Sequence, residues 1–374
     1  MIYSIPDQIG ILACPGARIF AGKITTELEH LSQRKFRRKV KLLSDKYGLE
    51  KEEILRRINL TIDLRPTTTN LKHPVDQFRK SSFTVPAHFT RFANGEFKTD
   101  ILCTMRNMDI YIIQDVENHY PLTMDSHPGE EFILSINDHI FCLLVTIDAA
   151  LQAGAKRVTA ILPTYPYGRQ HKKKGREGLT AARMGQILEN SGVGRIITLD
   201  VHSKEIENCF TSLHLENLHG SYQILRVLSG LVDLKDPDLV MISPDTGSID
   251  RNKFYATALG KSLGMIYKER DYSRTSVSAA ENNIVSIHLL GEVRGKTVFM
   301  ADDMLGTGGT LLKAMKTLKD RGAKRIIAAV SLPFFSGQAI QYFDAAFREG
   351  LFYRVIGTNS VYHDKTLLDK EWYL

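Results

Sequence analysis

Short runs of β-branched and aliphatic residues, each ending in a turn-forming or acidic residue, set the rhythm of the chain. They cover Arg157-Val158-Thr159-Ala160-Ile161-Leu162-Pro163, Arg195-Ile196-Ile197-Thr198-Leu199-Asp200, Asp238-Leu239-Val240-Met241-Ile242-Ser243-Pro244 and Lys296-Thr297-Val298-Phe299-Met300-Ala301-Asp302. Unbroken apolar runs of this length suit strands covered on both faces, as in parallel sheets. Between them the apolar positions take helical spacing: Leu311, Leu312, Ala314, Met315 and Leu318 precede Gly322. Strands alternating with helices predict an α/β fold, a doubly wound and mainly parallel sheet flanked by helices.

One internal echo bears on domain number. Ala153-Gly154-Ala155-Lys156-Arg157-Val158 recurs as Arg321-Gly322-Ala323-Lys324-Arg325-Ile326, each joining a helix end to a strand. Glycine stops the helix and the apolar strand follows. The echo predicts two related α/β halves joined near Leu218 to Tyr222, with domains at 1–219 and 220–374. The stretches 37–85 and 117–136 carry Pro66, Pro74, Pro121 and Pro128 among many polar residues, and read as irregular insertions in the N-terminal half.

Composition narrows the class. The 374 residues are 43% hydrophobic and 24% charged, enough apolar matter to core two globular domains. No basic n-region leads an apolar stretch at the amino terminus, and the most apolar segment, 140–151, is interrupted by Asp148, so neither a secretion signal nor a membrane span is expected. The four cysteines, Cys14, Cys103, Cys142 and Cys209, lack the paired spacing of a zinc site or disulfide scaffold and fit reduced cytoplasmic thiols. Lysines and arginines outnumber acids by 49 to 42, a net charge of +7 that favours anionic partners. The basic run 34–41 continues into a helix-compatible stretch and reads as a solvated helix face; no nucleic-acid-binding motif accompanies it.

The chemistry concentrates after the strand 297–301, in Asp302-Asp303-Met304-Leu305-Gly306-Thr307-Gly308-Gly309-Thr310. Two acids at the carboxyl end of a strand project into the crevice of an open sheet, where their oxygens can accept hydrogen bonds from two sugar hydroxyls. Glycines let the backbone curl so that its N–H groups, with the Thr307 and Thr310 hydroxyls, surround a phosphate at a helix amino terminus. No Gly-Lys-Thr ending and no G-x-G-x-x-G spacing is present, which sets the segment apart from nucleotide P-loops and dinucleotide folds. The pattern suits a sugar phosphate.

This segment resembles the phosphoribosyl-diphosphate loop of the phosphoribosyltransferase superfamily. With Gly16-Ala17-Arg18-Ile19-Phe20, Arg91-Phe92-Ala93-Asn94-Gly95-Glu96 and a nearly continuous match from Asn137 to Asn359, the chain resembles the ribose-phosphate pyrophosphokinases. The resemblance implies two phosphoribosyltransferase-like domains and attack of ribose 5-phosphate on Mg-ATP with release of AMP. It implies an adenine-contacting loop at Asn94, Gly95 and Glu96, and a second ATP segment at Tyr165 to Gln170 with Arg169 and Gln170 as contacts. It places magnesium at His202 and Asp245, catalytic side chains at Lys268 and Arg270, and ribose 5-phosphate at Asp302, Asp303, Gly306, Thr307, Gly308, Gly309 and Thr310. ATP, ribose 5-phosphate and copies of the chain itself are the implied partners, with Mg2+ as cofactor and no nucleic acid or membrane.

The chain departs from the family pattern at Gly306, where an acid is usual, and ends at Trp372-Tyr373-Leu374, where relatives usually add a helix. Two other readings stay open on sequence alone: a phosphoribosyltransferase that consumes the diphosphate, and a non-catalytic regulatory homologue of the synthase.

Overall fold

The computed structural model of the chain describes residues 8–57, 83–173, 175–270 and 284–374, excluding the side chains of 8, 55–57, 268–270 and 284–286. The chain divides into two compact units, Met1–Thr198 with Ser203–Glu216, and Leu199–His202 with Asn217–Leu374.

The first unit opens with β1 (Gln8–Ala13), α1 (Arg18–Tyr47) and α2 (Lys51–Arg57), followed by β2 (Ala87–Arg91), β3 (Phe97–Ile101) and β4 (Met108–Ile113). Then come β5 (Leu122–Met124), β6 (His127–Phe132), α3 (Ile136–Gln152), β7 (Arg157–Ile161), α4 (Thr180–Asn190), β8 (Arg195–Leu199) and β9 (His214–Leu218). The main sheet has the order β1-β4-β7-β8-β9 and is parallel from β1 through β8. Two antiparallel hairpins, β2–β3 and β5–β6, stand outside it.

Both expected insertions contain regular structure. Residues 37–47 continue the 30-residue α1 rather than leaving it, because Phe36, Val40 and Leu43 keep helical spacing and pack with Leu49 and Ile54 into a small apolar cluster. Residues 122–132 form the β5–β6 hairpin. Residues 58–82 of the first insertion lie outside the described residues.

The second unit holds α5 (Ser221–Leu231), β10 (Leu239–Ser243), α6 (Ile249–Leu259), β11 (Leu263–Arg270), β12 (Ile284–Leu290) and β13 (Thr297–Leu305). It continues with α7 (Gly309–Asp320), β14 (Arg325–Pro333), α8 (Ala339–Arg348), β15 (Arg354–Gly357) and α9 (Lys365–Leu368). Its sheet order is β12-β11-β10-β13-β14-β15, parallel except for the β11–β12 pair. The strand period of two shares the core between the two faces. Val298, Met300, Ala328 and Val330 pack with Leu311, Met315, Leu318 and Phe343 of α7 and α8. Phe299, Ala301, Ile327 and Ala329 pack with Ile224, Leu228 and Tyr255 of α5 and α6. Helices thus cover both faces, and β10, β13 and β14 read as continuous apolar runs for that reason.

The internal echo is a structural repeat. Gly154 and Gly322 both take left-handed φ, +89° and +87°, and each lies against an arginine stem, Arg106 or Arg294. The following alanines form antiparallel bridges to those same arginines. Ala155 and Ala323 donate back to Ala150 and Leu318, while Lys156 and Lys324 donate to Met108 and Lys296, the residues that lead into β4 and β13. The same helix-to-strand joint is built twice, one in each unit. Among the described residues no helix is long and apolar enough to cross a membrane.

Candidate active site

The acids sit further along their strand than the sequence pattern predicts. β13 does not stop at Ala301 but runs to Leu305, because β14 continues to pair with it at Asp302↔Val330, Met304↔Leu332 and Leu305↔Pro333. On its other side, pairing with β10 ends at Met241↔Phe299. Asp302 and Asp303 therefore lie on a strand end supported from one flank and open on the other, the crevice position of open α/β sheets.

Asn252 of α6, fully buried, fixes where that end lies. Its side-chain amide donates to the Ala301 carbonyl at 2.7 Å and its carbonyl oxygen accepts the Ala301 N–H at 2.8 Å. Next along, Asp302 Oδ1 accepts from Ser248 Oγ at 2.6 Å and from the Asp303 N–H at 2.9 Å. Asp303 Oδ2 pairs with Nδ1 of His202 at 2.5 Å. The two acids consequently differ. Burial, then the Asp303 charge, pushes Asp302 up to about 7. Burial also acts to raise Asp303, but the hydrogen bond and charge of the His202 ring outweigh it and hold that carboxyl below the usual range. Like charges this close favour a shared proton, so the pair offers one ionised and one readily protonated carboxyl.

His202 reaches Asp303 from a turn anchored two residues earlier. Asp200, 3% exposed, takes a left-handed φ of +43° immediately after β8. Its carboxylate accepts from His219 Nδ1 at 2.8 Å, the Gly220 N–H at 3.1 Å and Ser331 Oγ at 2.5 Å, and pairs with Arg251 Nη1 at 3.1 Å. Burial acts to raise this carboxyl, but Arg251, His219, Ser331 and the Gly220 N–H together hold it below its ordinary value. Four donors over-determine the strained turn. Asp245, after β10, accepts the Ser248 N–H at 3.0 Å, and its charge adds to the upward push on Asp302.

The phosphate-loop segment begins only after Leu305. Gly308 takes φ +76° as the N-cap of α7 and supplies no side-chain cap, so the first helical N–H groups remain for a ligand. A β-carbon at Gly308 would overlap the Phe343 ring, so both its conformation and its surroundings require glycine. Gly308 is buried, whereas Thr307, Gly309 and Thr310 are exposed.

His202, Asp245, Asp302 and Asp303 are thus tied together by hydrogen bonds and charge, with residues 306–310 following directly. The backbone of Lys268 and Arg270 belongs to β11, paired with β12, while their side chains lie outside the described residues. In the first unit, Asn94-Gly95-Glu96 forms the exposed tip of the β2–β3 hairpin, where the Glu96 N–H donates to Asn94 Oδ1 at 3.2 Å. Arg169 and Gln170 are exposed after β7; the Gln170 N–H donates to the carbonyl of Tyr167, whose hydroxyl reaches Asn137 Oδ1 at 2.5 Å. That hydrogen bond ties the second segment to the first turn of α3. Pattern reading did not assign Ser248, Arg251, Asn252, His219 or Ser331 to the site. Only the Ser243-Pro244-Asp245 segment leading into α6 hinted that polar residues would gather there.

Comparison with known proteins adds an independent line. Residues 68–192 match the model of the N-terminal domain of ribose phosphate pyrophosphokinase, and residues 215–343 match the phosphoribosyl transferase domain. Ribose-phosphate pyrophosphokinase 2 of Schizosaccharomyces pombe is 34% identical over 275 residues, 73% of this chain and 77% of that protein. Ribose-phosphate pyrophosphokinase A of Dictyostelium discoideum is 32% identical over 74% of this chain and 78% of its own length. The crystal structure of phosphoribosylpyrophosphate synthetase from Mycobacterium smegmatis superposes with a TM-score of 0.63 at 29% identity, over 78% of this chain and 85% of that one. A duplicated α/β architecture, paired acids ahead of an uncapped helix and relatives matched over most of their length converge on one conclusion: the chain belongs to the ribose-phosphate pyrophosphokinase family.

Proposed function

We propose that residues 220–374 bind ribose 5-phosphate, that residues 1–219 bind ATP, and that the anomeric hydroxyl of the sugar attacks the β-phosphorus of the nucleotide. The O1–Pβ bond forms as the bond between Pβ and the oxygen bridging to the α-phosphorus breaks. AMP leaves with that oxygen, the hydroxyl proton passes to solvent, and 5-phosphoribosyl 1-diphosphate results. The observation that carries the acceptor assignment is the juxtaposition of Asp302 and Asp303 with the start of α7: two carboxyls for the ribose hydroxyls, then exposed Thr307, Gly309 and Thr310 for the 5-phosphate. Asn94, Gly95 and Glu96 read the adenine edge, and Arg169 with Gln170 contacts the nucleotide from the second exposed segment.

A magnesium ion at this site would be shared with the nucleotide. Among the described residues no group of three or more His, Cys, Asp or Glu side chains is placed to hold a metal. His202 and Asp245 would supply two donors, and ATP oxygens and water would complete the oxygen-rich octahedral shell that Mg2+ demands. Bound there, the ion would neutralise charge on the nucleotide phosphates. The family also supports a homo-oligomeric, cytoplasmic enzyme, read out by light scattering and cell fractionation.

Lys268 and Arg270 stabilise charge on the transferred group, the role in which a single arginine contributes about 10³–10⁵ in rate. Lys268→Ala and Arg270→Ala therefore lose AMP release from ATP, ribose 5-phosphate and magnesium far more than they lose ATP binding. Near-normal turnover in both would remove the assignment. Gly306 favours a second reading, the regulatory homologue, which predicts intact ligand binding with no AMP release from the unaltered chain.

A further inference from the structure

A loop that binds phosphate through backbone N–H groups must be held in one shape before the ligand arrives. We infer that the Phe335-Ser336 turn is the positioning device for this site, an inference that rests on the loop's binding the 5-phosphate. Consecutive N–H groups of Phe335 and Ser336 donate to consecutive loop carbonyls, those of Leu305 and Gly306, each at 3.0 Å. Presenting both requires Phe335 to sit at φ +47°, a left-handed conformation that a bulky aromatic residue rarely adopts. Glycine would take that conformation without strain and asparagine with less of it, so the ring must return something.

It returns an anchor. The Phe335 ring packs against Phe343, His363, Trp372 and Tyr373, with centroids 5.6 to 5.9 Å apart. Residue 335 is 3% exposed, and His363 itself bonds the Pro333 carbonyl at 2.5 Å, fixing the chain just ahead of the turn. Phe343, a member of the same cluster, closes over Gly308. The loop is therefore held at 305 and 306 by the Phe335-Ser336 turn and at 308 by Phe343, while Thr307, Gly309 and Thr310 stay exposed. Such a grip organises the phosphate site before ligand arrives, and its loss appears in sugar binding rather than in nucleotide binding.

Ser336, exposed at the turn, gives a test that spares the core. Ser336→Pro removes one N–H and drives residue 335 toward extended conformations. The expected result is a rise of about 10- to 100-fold in KM for ribose 5-phosphate, with KM for ATP within about twofold of wild type. Ser336→Ala, which keeps the N–H, keeps the wild-type KM. Thr310→Val tests the underlying assignment in parallel. If Thr310→Val weakens ribose 5-phosphate binding and Ser336→Pro does not, the positioning role is overturned and the loop assignment stands. If neither does, both fall. Should Ser336→Pro not fold, amide exchange on the wild-type enzyme decides: the Phe335 and Ser336 N–H groups must be protected without ligand, with Gly309 and Thr310 gaining protection on adding ribose 5-phosphate. Fast exchange at 335 and 336 in the free enzyme would overturn the proposal.

Discussion

Replacing Arg251 by methionine removes a guanidinium partner from the buried Asp200 carboxylate. Asp200 is 3% exposed and its side chain meets Arg251 Nη1 at 3.1 Å. Breaking a buried ion pair by removing one partner costs about 3–5 kcal/mol. Here His219, Ser331 and the Gly220 N–H remain, and 21% of the Arg251 side chain is exposed, so the cost falls at or just below the bottom of that range. About 2–3 kcal/mol is expected, which for a unit of this size lowers Tm by about 4–12 °C. The pH dependence has a definite sign. The folded-state value of Asp200 lies below its unfolded value, so its contribution to stability is present above the unfolded value and is lost as pH falls through the folded one. Without Arg251, burial raises that carboxyl, and acid relieves the variant by neutralising it. The deficit relative to wild type should therefore be largest near about pH 7.5 and shrink toward about pH 5. Trp372, the sole tryptophan, is buried in the same unit, so urea melts followed by its fluorescence read that unit directly. The double variant Asp200→Asn/Arg251→Met should recover much of the loss, since removing both partners leaves no stranded charge. A deficit below about 1 kcal/mol, the level of an exposed pair, or one insensitive to pH, would refute the buried-anchor argument.

Two further outcomes follow from the site. Asp302 has a folded-state value raised to about 7, so its stabilising contribution is lost as pH rises through that value. Asp302→Asn keeps an acceptor for Ser248 without the charge; thermal melts should show it gaining on wild type as pH rises from about 4 to about 7 and keeping that advantage above, while calorimetry shows ribose 5-phosphate binding weakened. Gly308→Ala places a methyl group into the Phe343 ring at φ +76° and should cost about 1–3 kcal/mol in chemical denaturation, with a raised KM for ribose 5-phosphate. An alanine variant as stable as wild type would mean that the loop and α8 separate freely.

The regular elements were largely legible in the sequence because they rest on local periodicity. The runs beginning at 157, 195, 238 and 296 became β7, β8, β10 and β13, and the spacing from Leu311 to Leu318 became the buried face of α7. The repeated Gly-Ala-Lys-Arg joint announced the duplication, since a left-handed glycine between helix and strand leaves a local signature. Where β13 ends was not legible: its last four residues are strand because β14 pairs with them, a fact located elsewhere in the chain. The β5–β6 hairpin was missed for a related reason, since five of the six residues of β6 are exposed and show no alternation of apolar and polar positions.

The candidate site divides the same way. By itself the sequence determined which groups the candidate site contains: two adjacent acids, a glycine-threonine turn, and the motif holding His202. Tertiary structure alone decided how those groups are held and charged. Asp303 meets His202 across 101 residues, Asp302 meets Ser248 across 54, Ser331 reaches Asp200 across 131, and Asn252 clasps Ala301 across 49. Residue type and short-range spacing are written in consecutive positions, whereas burial, hydrogen-bond partners and proton affinity depend on which distant segments fill the space around a group. That is why two neighbouring aspartates, indistinguishable in the sequence, have proton affinities shifted in opposite directions in the folded protein.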